Sequence, residues 1–187
     1  PAPADAEHAG HEGAGEGVVQ LVRGVDGVDD GVDVGVELAG GEGVDEVLLR
    51  STLIDNLRFA ADAFAPAERQ VLMEPLNSRD TPGFLVDRTA PALALLDEAD
   101  RPNLALQYDV YHAQVMEGDL ARTLEAHLAR IGHIQLADNP GRHQPGTGEI
   151  NFPFLFRLLR RLGYPGWIGC EYVPTGPTED SFGWMAS

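Results

Sequence analysis

The sequence predicts an α/β fold in which helices cover a parallel sheet or part of a (β/α) barrel. From Ser51 onward, helical segments alternate with strand-length apolar runs through short connections, the pattern of βα units. Four of these runs end in a group that can bind a hard metal ion, and the groups are 26 to 36 residues apart, about one βα unit. The four runs lie at 71–74, 104–109, 133–135 and 167–171.

The length and charge of the chain limit its size and its partners. Its 187 residues suit one domain with a sizeable core, whereas a complete eight-stranded barrel needs about 250 residues. The formal net charge is −17, and all 13 basic residues are Arg. Because phosphates are repelled by so acidic a surface, we expect no nucleic-acid partner.

The cysteine count and the apolar runs bear on the cellular setting. Cys170 is the only cysteine, so no disulfide forms within the chain, and a reducing, cytoplasmic setting is the simplest expectation. No apolar run approaches the ~18 residues of a membrane span. Residues 1–5 lack the basic and apolar regions of a signal peptide. We therefore expect no membrane partner.

Residues 1–49 differ in composition from the rest of the chain. They contain no aromatic residue and consist mainly of Gly, Val, Asp, Glu and Ala, and Gly at this density disfavours helices. We expect an irregular, low-complexity segment that is poorly ordered, although the alternation over 32–38 could form one strand. The sequence thus divides into this segment and a folded domain over 50–187.

The folded domain is predicted to begin with a helix over 51–64. Its apolar residues recur at helical spacing, and Ser51 or Thr52 is a plausible N-cap. Pro91 suits the first turn of the next helix. The later elements are strand 70–74, helix 89–99, strand 103–108, helix 119–130, strand 132–136, helix 152–162 and strand 166–171.

Side-chain alternation sorts these strands into a polar face and an apolar face. If the strand-end groups point inward, so do the residues two positions earlier. The other face is then largely apolar, as packing against covering helices requires. The inward set is Leu72, Glu74, Gln107, Asp109, His133, Gln135, Gly169 and Glu171; the outward set is Val71, Met73, Leu104, Leu106, Tyr108, Ile134, Leu136, Ile168 and Cys170.

The inward strand-end groups predict a metal site with acid–base chemistry. Glu74, Asp109, Gln135 and Glu171 offer three carboxylates and one amide oxygen, which suit Mg²⁺ or Mn²⁺ better than Zn²⁺. Two carboxylates on either side of a substrate can also move protons. The alternative for each acid is a structural role, as a helix cap or as the partner of an Arg.

The loops after these strands carry further polar groups. Asp80 follows Glu74, His112 follows Asp109, and Arg142 follows Gln135. A guanidinium binds a carboxylate through two hydrogen bonds, so Arg142 could hold a substrate carboxylate, or it could be a surface residue. His112 could orient a substrate oxygen or be an ordinary hydrogen-bonded histidine. We interpret the glycines of 146–148 as a turn rather than a phosphate-binding loop.

Several motifs together resemble the hydroxypyruvate isomerase family of xylose-isomerase-like barrels. The resemblance runs from about Arg50 to Met185, and Gln135 stands where the related sugar 3-epimerases usually have His. The motifs are EPLNSRD at 74–80, QYDVYH at 107–112, GHIQLADNPGR at 132–142, PGTGEI at 145–150 and GCEY at 169–172.

The resemblance implies a fold, a reaction and a set of roles. The fold is a (β/α)8 TIM barrel, of which this chain has the C-terminal half, strands 5–8 with their helices. The reaction interconverts hydroxypyruvate and tartronate semialdehyde, within glyoxylate metabolism, through a metal-stabilised enediolate. Glu74 and Glu171 become the proton donor and acceptor. The same two residues hold Mg²⁺ or Mn²⁺ with Asp109 and Gln135, and the 2-oxo acid substrate contacts His112, Arg142 and Asp80.

Alternatives to this reading remain at the sequence level. The chain could be a related isomerase or epimerase of other oxo sugar acids. It could also be an inactive fragment, whose unpaired edge strands would favour aggregation or pairing in a homo-oligomer. A nuclease of the same superfamily fits poorly with the acidity. For residues 1–49, which do not resemble the family's first strands, a shifted reading frame or a misassigned start is one hypothesis.

Overall fold

Strands and helices alternate along the computed structural model, which describes residues 18–22, 31–37 and 45–186. Three short 3-10 segments complete it, at Ala65–Ala67, Leu128–Arg130 and Thr178–Ala186. The main elements are β1 (Val18–Val22), β2 (Gly31–Glu37), α1 (Glu46–Phe64), β3 (Gln70–Met73), α2 (Thr89–Ala99), β4 (Leu104–Asp109), α3 (Val110–Met116), α4 (Leu120–His127), β5 (Ile131–Leu136), α5 (Phe152–Leu162) and β6 (Ile168–Cys170).

The six strands form one sheet whose spatial order equals their order in the chain. β1 pairs with β2 in antiparallel fashion, and each pair from β2 to β6 is parallel. Each parallel strand therefore lies next to the following one, with helices in the connections, as in the wall of a barrel. The predicted fold class, an α/β barrel-type sheet present in part, is confirmed.

Two of the six strands lie in the N-terminal segment that we predicted to be irregular. β2 corresponds to the possible strand at 32–38, while β1 was not predicted. The rest of the segment up to residue 44 lies outside the described residues. The prediction of poor order there, and the boundary at 49/50, stay predictions.

α1 begins five residues before its predicted start. Asp45 is its N-cap, and the Asp45 carboxylate accepts a hydrogen bond from Val47 N at 2.9 Å. The hydroxyls of Ser51 and Thr52, which we expected to cap the helix, instead donate to the Leu48 carbonyl inside it. This first turn lies within the segment 1–49 that we predicted to be irregular.

The apolar face of the sheet packs against the helices as parity predicts. Val71, Leu106 and Ile134 on three adjacent strands are almost completely buried, and they form one cluster with side chains of α1, α2 and α5. Cys170, on the last strand, is in register with Leu136 of the outward set but is exposed. Because this apolar face is packed against the helices, the opposite face of β3 to β5, which carries the polar side chains, points away from them.

No helix in the described ranges is long and apolar enough to cross a membrane.

Candidate active site

The carboxyl ends of four adjacent strands bring the predicted ligands to one place. Glu74 directly follows β3, Asp109 ends β4, Gln135 lies in β5, and Glu171 directly follows β6. Because the strands are parallel, these positions share one edge of the sheet. One ligand atom each from Glu74, Asp109, His112 and Glu171 lies within 4.8 Å of the others. The structure thus gathers the predicted acids, while their roles stay predictions.

Asp109 is the most deeply buried acid of this cluster. Its side chain is fully shielded from solvent, and its Oδ1 accepts a hydrogen bond from Tyr111 N at 2.7 Å, which caps α3. Its Oδ2 is buried without a hydrogen-bond partner. Burial, together with the charge of Glu171, raises the pKa of Asp109 to about 7. A buried carboxylate oxygen that accepts no hydrogen bond is suited to bind a cation.

α3 itself was missed in the sequence, and it carries one of the site residues. We predicted a loop after β4, whereas the chain turns directly into Val110–Met116 and places His112 beside Asp109. The signal was present, because Asp is a strong N-cap residue.

His112 has a defined tautomer. Asn77 Oδ1 accepts from the backbone N–H groups of Arg79 and Asp80, which turns Asn77 Nδ2 toward His112 Nδ1 at 2.7 Å. Asn77 N also donates to that Nδ1, at 3.0 Å. Nδ1 is therefore the acceptor, so the neutral ring carries its proton on Nε2.

The protonated Nε2 of His112 faces the acids. It lies 3.6 Å from Asp109 Oδ2 and 3.9 Å from Glu74 Oε1, and it is buried without a hydrogen-bond partner. Burial, and next the charge of Arg142, lower the pKa of His112 to about 4. In this state His112 is a hydrogen-bond donor for an oxygen atom rather than a metal ligand.

Asp80 is held beside the site through Tyr111. Its Oδ2 accepts from the Tyr111 hydroxyl at 2.5 Å and from Asn77 Nδ2 at 3.0 Å. These two hydrogen bonds, that of Tyr111 first, lower the pKa of Asp80. From the sequence, Asn77 was expected only to lie on the loop after Glu74, and Tyr111 was not predicted as a site residue, because their contacts depend on how this loop meets α3.

Arg142 reaches the same cluster from the loop after β5. Its guanidinium lies 2.7 Å from Glu171 Oε2 and 3.8 Å from Asp109 Oδ2, and it covers the Tyr111 ring at 5.3 Å from the centroid. Arg142 is thus no isolated surface residue. The side chain of Glu171 is half exposed, so this side of the cluster is open to solvent.

Asp138 organises the loop that carries Arg142. Its buried carboxylate accepts hydrogen bonds from four backbone N–H groups at 2.9 to 3.1 Å, those of Asn139, Gly146, Gly148 and Ile150. The glycines of 146–148 therefore form the expected turn. A side chain at Gly148 would meet the Asn139 carbonyl oxygen at 2.1 Å, so glycine is required there. No role for Asp138 was predicted from the sequence.

The donor set fits a hard divalent cation. Carboxylates of Glu74, Asp109 and Glu171 converge, one of them buried with an unpartnered oxygen, and Gln135 adds an amide oxygen nearby. Oxygen ligands of this kind suit Mg²⁺ and Mn²⁺. His112, whose facing nitrogen carries a proton, fits a substrate better than the metal.

Fold and site together define a barrel-type α/β protein with its polar groups at the carboxyl ends of parallel strands. The family model described as Xylose isomerase-like TIM barrel matches residues 13–187, and the chain belongs to this family. The match begins well before Arg50, where we expected the resemblance to start. The model of this broader family therefore also includes the N-terminal segment, apart from its first residues.

Curated relatives match about three quarters of the chain. It is 46% identical over 141 residues to the 2-oxo-tetronate isomerase of Cupriavidus necator, covering 75% of this chain and 54% of that protein. It is 46% identical over 137 residues to the hydroxypyruvate isomerase of Escherichia coli, covering 73% and 53%. The chain spans about half the length of the curated relatives it matches.

Solved structures show the same fold. A Brucella melitensis protein titled AP endonuclease, family 2 superposes with a TM-score of 0.80 at 42% identity, covering 84% of this chain and 60% of that one. The 3-keto-D-glucoside 4-epimerase of E. coli gives a TM-score of 0.71 at 26% identity, covering 83% and 62%.

Proposed function

We propose that this chain carries the active site of an isomerase that interconverts hydroxypyruvate and tartronate semialdehyde. The observation that carries the proposal is the convergence of three carboxylates with the N–H of His112. The names of the relatives from C. necator and E. coli support an isomerase of small oxo acids. The substrate is inferred from the family resemblance and the names of these relatives, and the metal and the mechanism are inferred from the chemistry of the site.

The reaction moves one proton between neighbouring carbons. A carboxylate removes a proton from C3 of hydroxypyruvate, and the electron pair of the C–H bond becomes the C2–C3 double bond of an enediolate. A proton returned to C2 then gives tartronate semialdehyde, while the hydroxyl proton passes from O3 to O2. Glu74 and Glu171, on the outermost of the four site strands, are the proposed pair for these transfers.

Each remaining group has a role that follows from its contacts. The His112 Nε2–H is aimed at the cluster without a partner, so it can donate to the substrate oxygen on which negative charge develops. Arg142 can bind the substrate carboxylate through two hydrogen bonds. Asp80, fixed by Tyr111 and Asn77, can accept from a substrate hydroxyl. A divalent cation held by Glu74, Asp109, Gln135 and Glu171 would supply positive charge beside the two reacting oxygens.

The four-carbon 2-oxo-tetronate is a second candidate substrate. It is favoured by the relative from C. necator and by one from Pectobacterium atrosepticum at 47% identity, both named 2-oxo-tetronate isomerase. The open side at Glu171 leaves room for a longer acid. The chemistry of the proton transfer is the same for both substrates.

The proposal is tested on the purified chain with both substrates in the presence of Mg²⁺ or Mn²⁺. We expect turnover in a monodisperse sample, and we expect Glu171→Gln to lower it at least ~100-fold, because a removed acid–base group costs that much. Glu125→Gln is the matched control, since Glu125 is an exposed acid that pairs with Arg161 at the surface. A folded wild-type chain without turnover on either substrate would support the inactive-fragment alternative instead. The same sample reports whether the expected homo-oligomer forms.

A further inference from the structure

We propose that Gln107 is a positioning residue that determines which oxygen atoms Glu74 and Gln135 present to the metal. This inference rests on the proposed function, because it refines the same site. Gln107 lies on β4 with its side chain on the inward face, and it is 2% exposed. Its backbone pairs with His133 of β5, and β3 flanks it on the other side. The side chain thus lies between the two strands that carry Glu74 and Gln135.

The amide group of Gln107 spans these two neighbours. Its Nε2 donates to Glu74 Oε2 at 2.9 Å and to Gln135 Oε1 at 2.6 Å. An amide nitrogen has two hydrogens, so both are directed at candidate metal ligands. One buried side chain therefore couples two ligands that come from strands on either side of it.

For Gln135 the consequence is the orientation of its amide. The oxygen and nitrogen ends of a glutamine occupy similar space, but only the oxygen can bind a cation. If Gln135 turned over, its NH₂ group would face the NH₂ group of Gln107, two donors without an acceptor. Gln107 therefore keeps the Gln135 oxygen at the site side, where its second lone pair can reach a metal.

For Glu74 the consequence is that its two carboxylate oxygens have different partners. Gln107 engages Oε2, and Oε1 is the oxygen that faces His112 at 3.9 Å. Gln107 achieves this without charge, beside three carboxylates that already repel one another. A carboxylate at position 107 would add a fourth negative charge and no donor.

The test is a calorimetric titration of the chain with Mn²⁺ alone. Gln107→Met keeps the volume of the side chain but removes both donors. We expect the affinity for Mn²⁺ to fall ~10- to 100-fold, as it does when the hydrogen-bond partner of a metal ligand is removed, while cooperative thermal unfolding in chelator is retained. A residue that only fills space would leave the affinity unchanged.

Gln70→Met is the matched control. Gln70 begins β3, four residues before Glu74, on the order of 13 Å away along the strand, so its loss should leave the affinity within threefold. Should Gln107→Met not fold by circular dichroism, the titration of Gln107→Asn decides, because the shorter amide cannot span both partners. Variants at 107 that bind Mn²⁺ like the wild type would overturn the inference, as would a wild-type chain that binds none.

The titration is independent of the isomerase assay. A wild-type chain that binds Mn²⁺ and loses affinity on Gln107→Met, yet turns over neither substrate, would refute the proposed function and uphold the role of Gln107. A wild-type chain that turns over a substrate, together with a Gln107→Met variant of unchanged affinity for Mn²⁺, would uphold the proposed function and refute the role of Gln107.

Discussion

The two ends of strands β3 to β5 differ in the state of their polar groups. At the amino ends, a cavity of about 480 Å³ is lined by Arg101 and Arg130 among others, but Arg101 pairs with Asp62 at 2.6 Å and Arg130 with Asp97 at 2.7 Å. At the carboxyl ends, Asp109 Oδ2 and His112 Nε2 are buried without hydrogen bonds. Unsatisfied buried polar atoms, rather than the volume of a cavity, mark the end that is built to bind a ligand.

Among changes at either end of the strands, the largest effect is expected on turnover, for Glu74→Gln at the carboxyl ends. This change removes an ionisable carboxylate while keeping the size of the side chain, so turnover should fall ~100- to 10,000-fold. The measurement is the initial rate with saturating Mn²⁺. Retention of more than a tenth of the wild-type rate would contradict the assignment of Glu74 to proton transfer.

A smaller, structural effect is expected for Asp138→Asn. The variant offers one oxygen, and an NH₂ group, to four backbone N–H donors, so the free energy of unfolding should fall by about 2 kcal/mol. Because this loop carries Arg142, KM should rise more than kcat falls. Denaturant unfolding and steady-state kinetics measure the two effects, and a normal KM would show that Arg142 is positioned without Asp138.

Asp109→Asn should change how stability depends on pH in the presence of a chelator. The folded state of the wild type binds a proton at Asp109 up to about pH 7, whereas the unfolded chain releases it near pH 4. The contribution of Asp109 to the free energy of unfolding of the wild type therefore falls as the pH rises from about 4 to about 7. Asn does not ionise and still caps α3, so the stability of the variant relative to the wild type should rise across this window. A difference that is independent of pH would contradict a raised pKa of Asp109 in the folded state.

The smallest effect is expected at the other end, for Arg130→Met. The pair of Arg130 with Asp97 is substantially exposed to solvent, so its loss should cost less than about 1 kcal/mol and leave the Mn²⁺ affinity unchanged. Thermal unfolding and the same titration measure this. A large loss of metal affinity would show that the two ends are coupled through the strands.

The strands and the inward acids were predictable because alternation within a strand is a local property. Glu74, Asp109 and Glu171 followed from parity and spacing alone. The role of Gln107 could not be predicted, since it depends on the register between strands, which shifts between Leu106 and Gln107 where β4 meets β5. The four hydrogen bonds to Asp138 depend on a loop that folds back on itself, and no sequence pattern fixes such a return.

The order of the strands in the sheet has a consequence for how the site forms during folding. Each described strand pairs with its neighbours in the chain, so every new ligand is added by closing a loop of one βα unit. Loop closure of this length costs little more entropy than that of a shorter loop, and contacts of modest sequence separation form quickly. We expect the carboxylate cluster to assemble progressively, from Glu74 to Glu171, as the chain is synthesised.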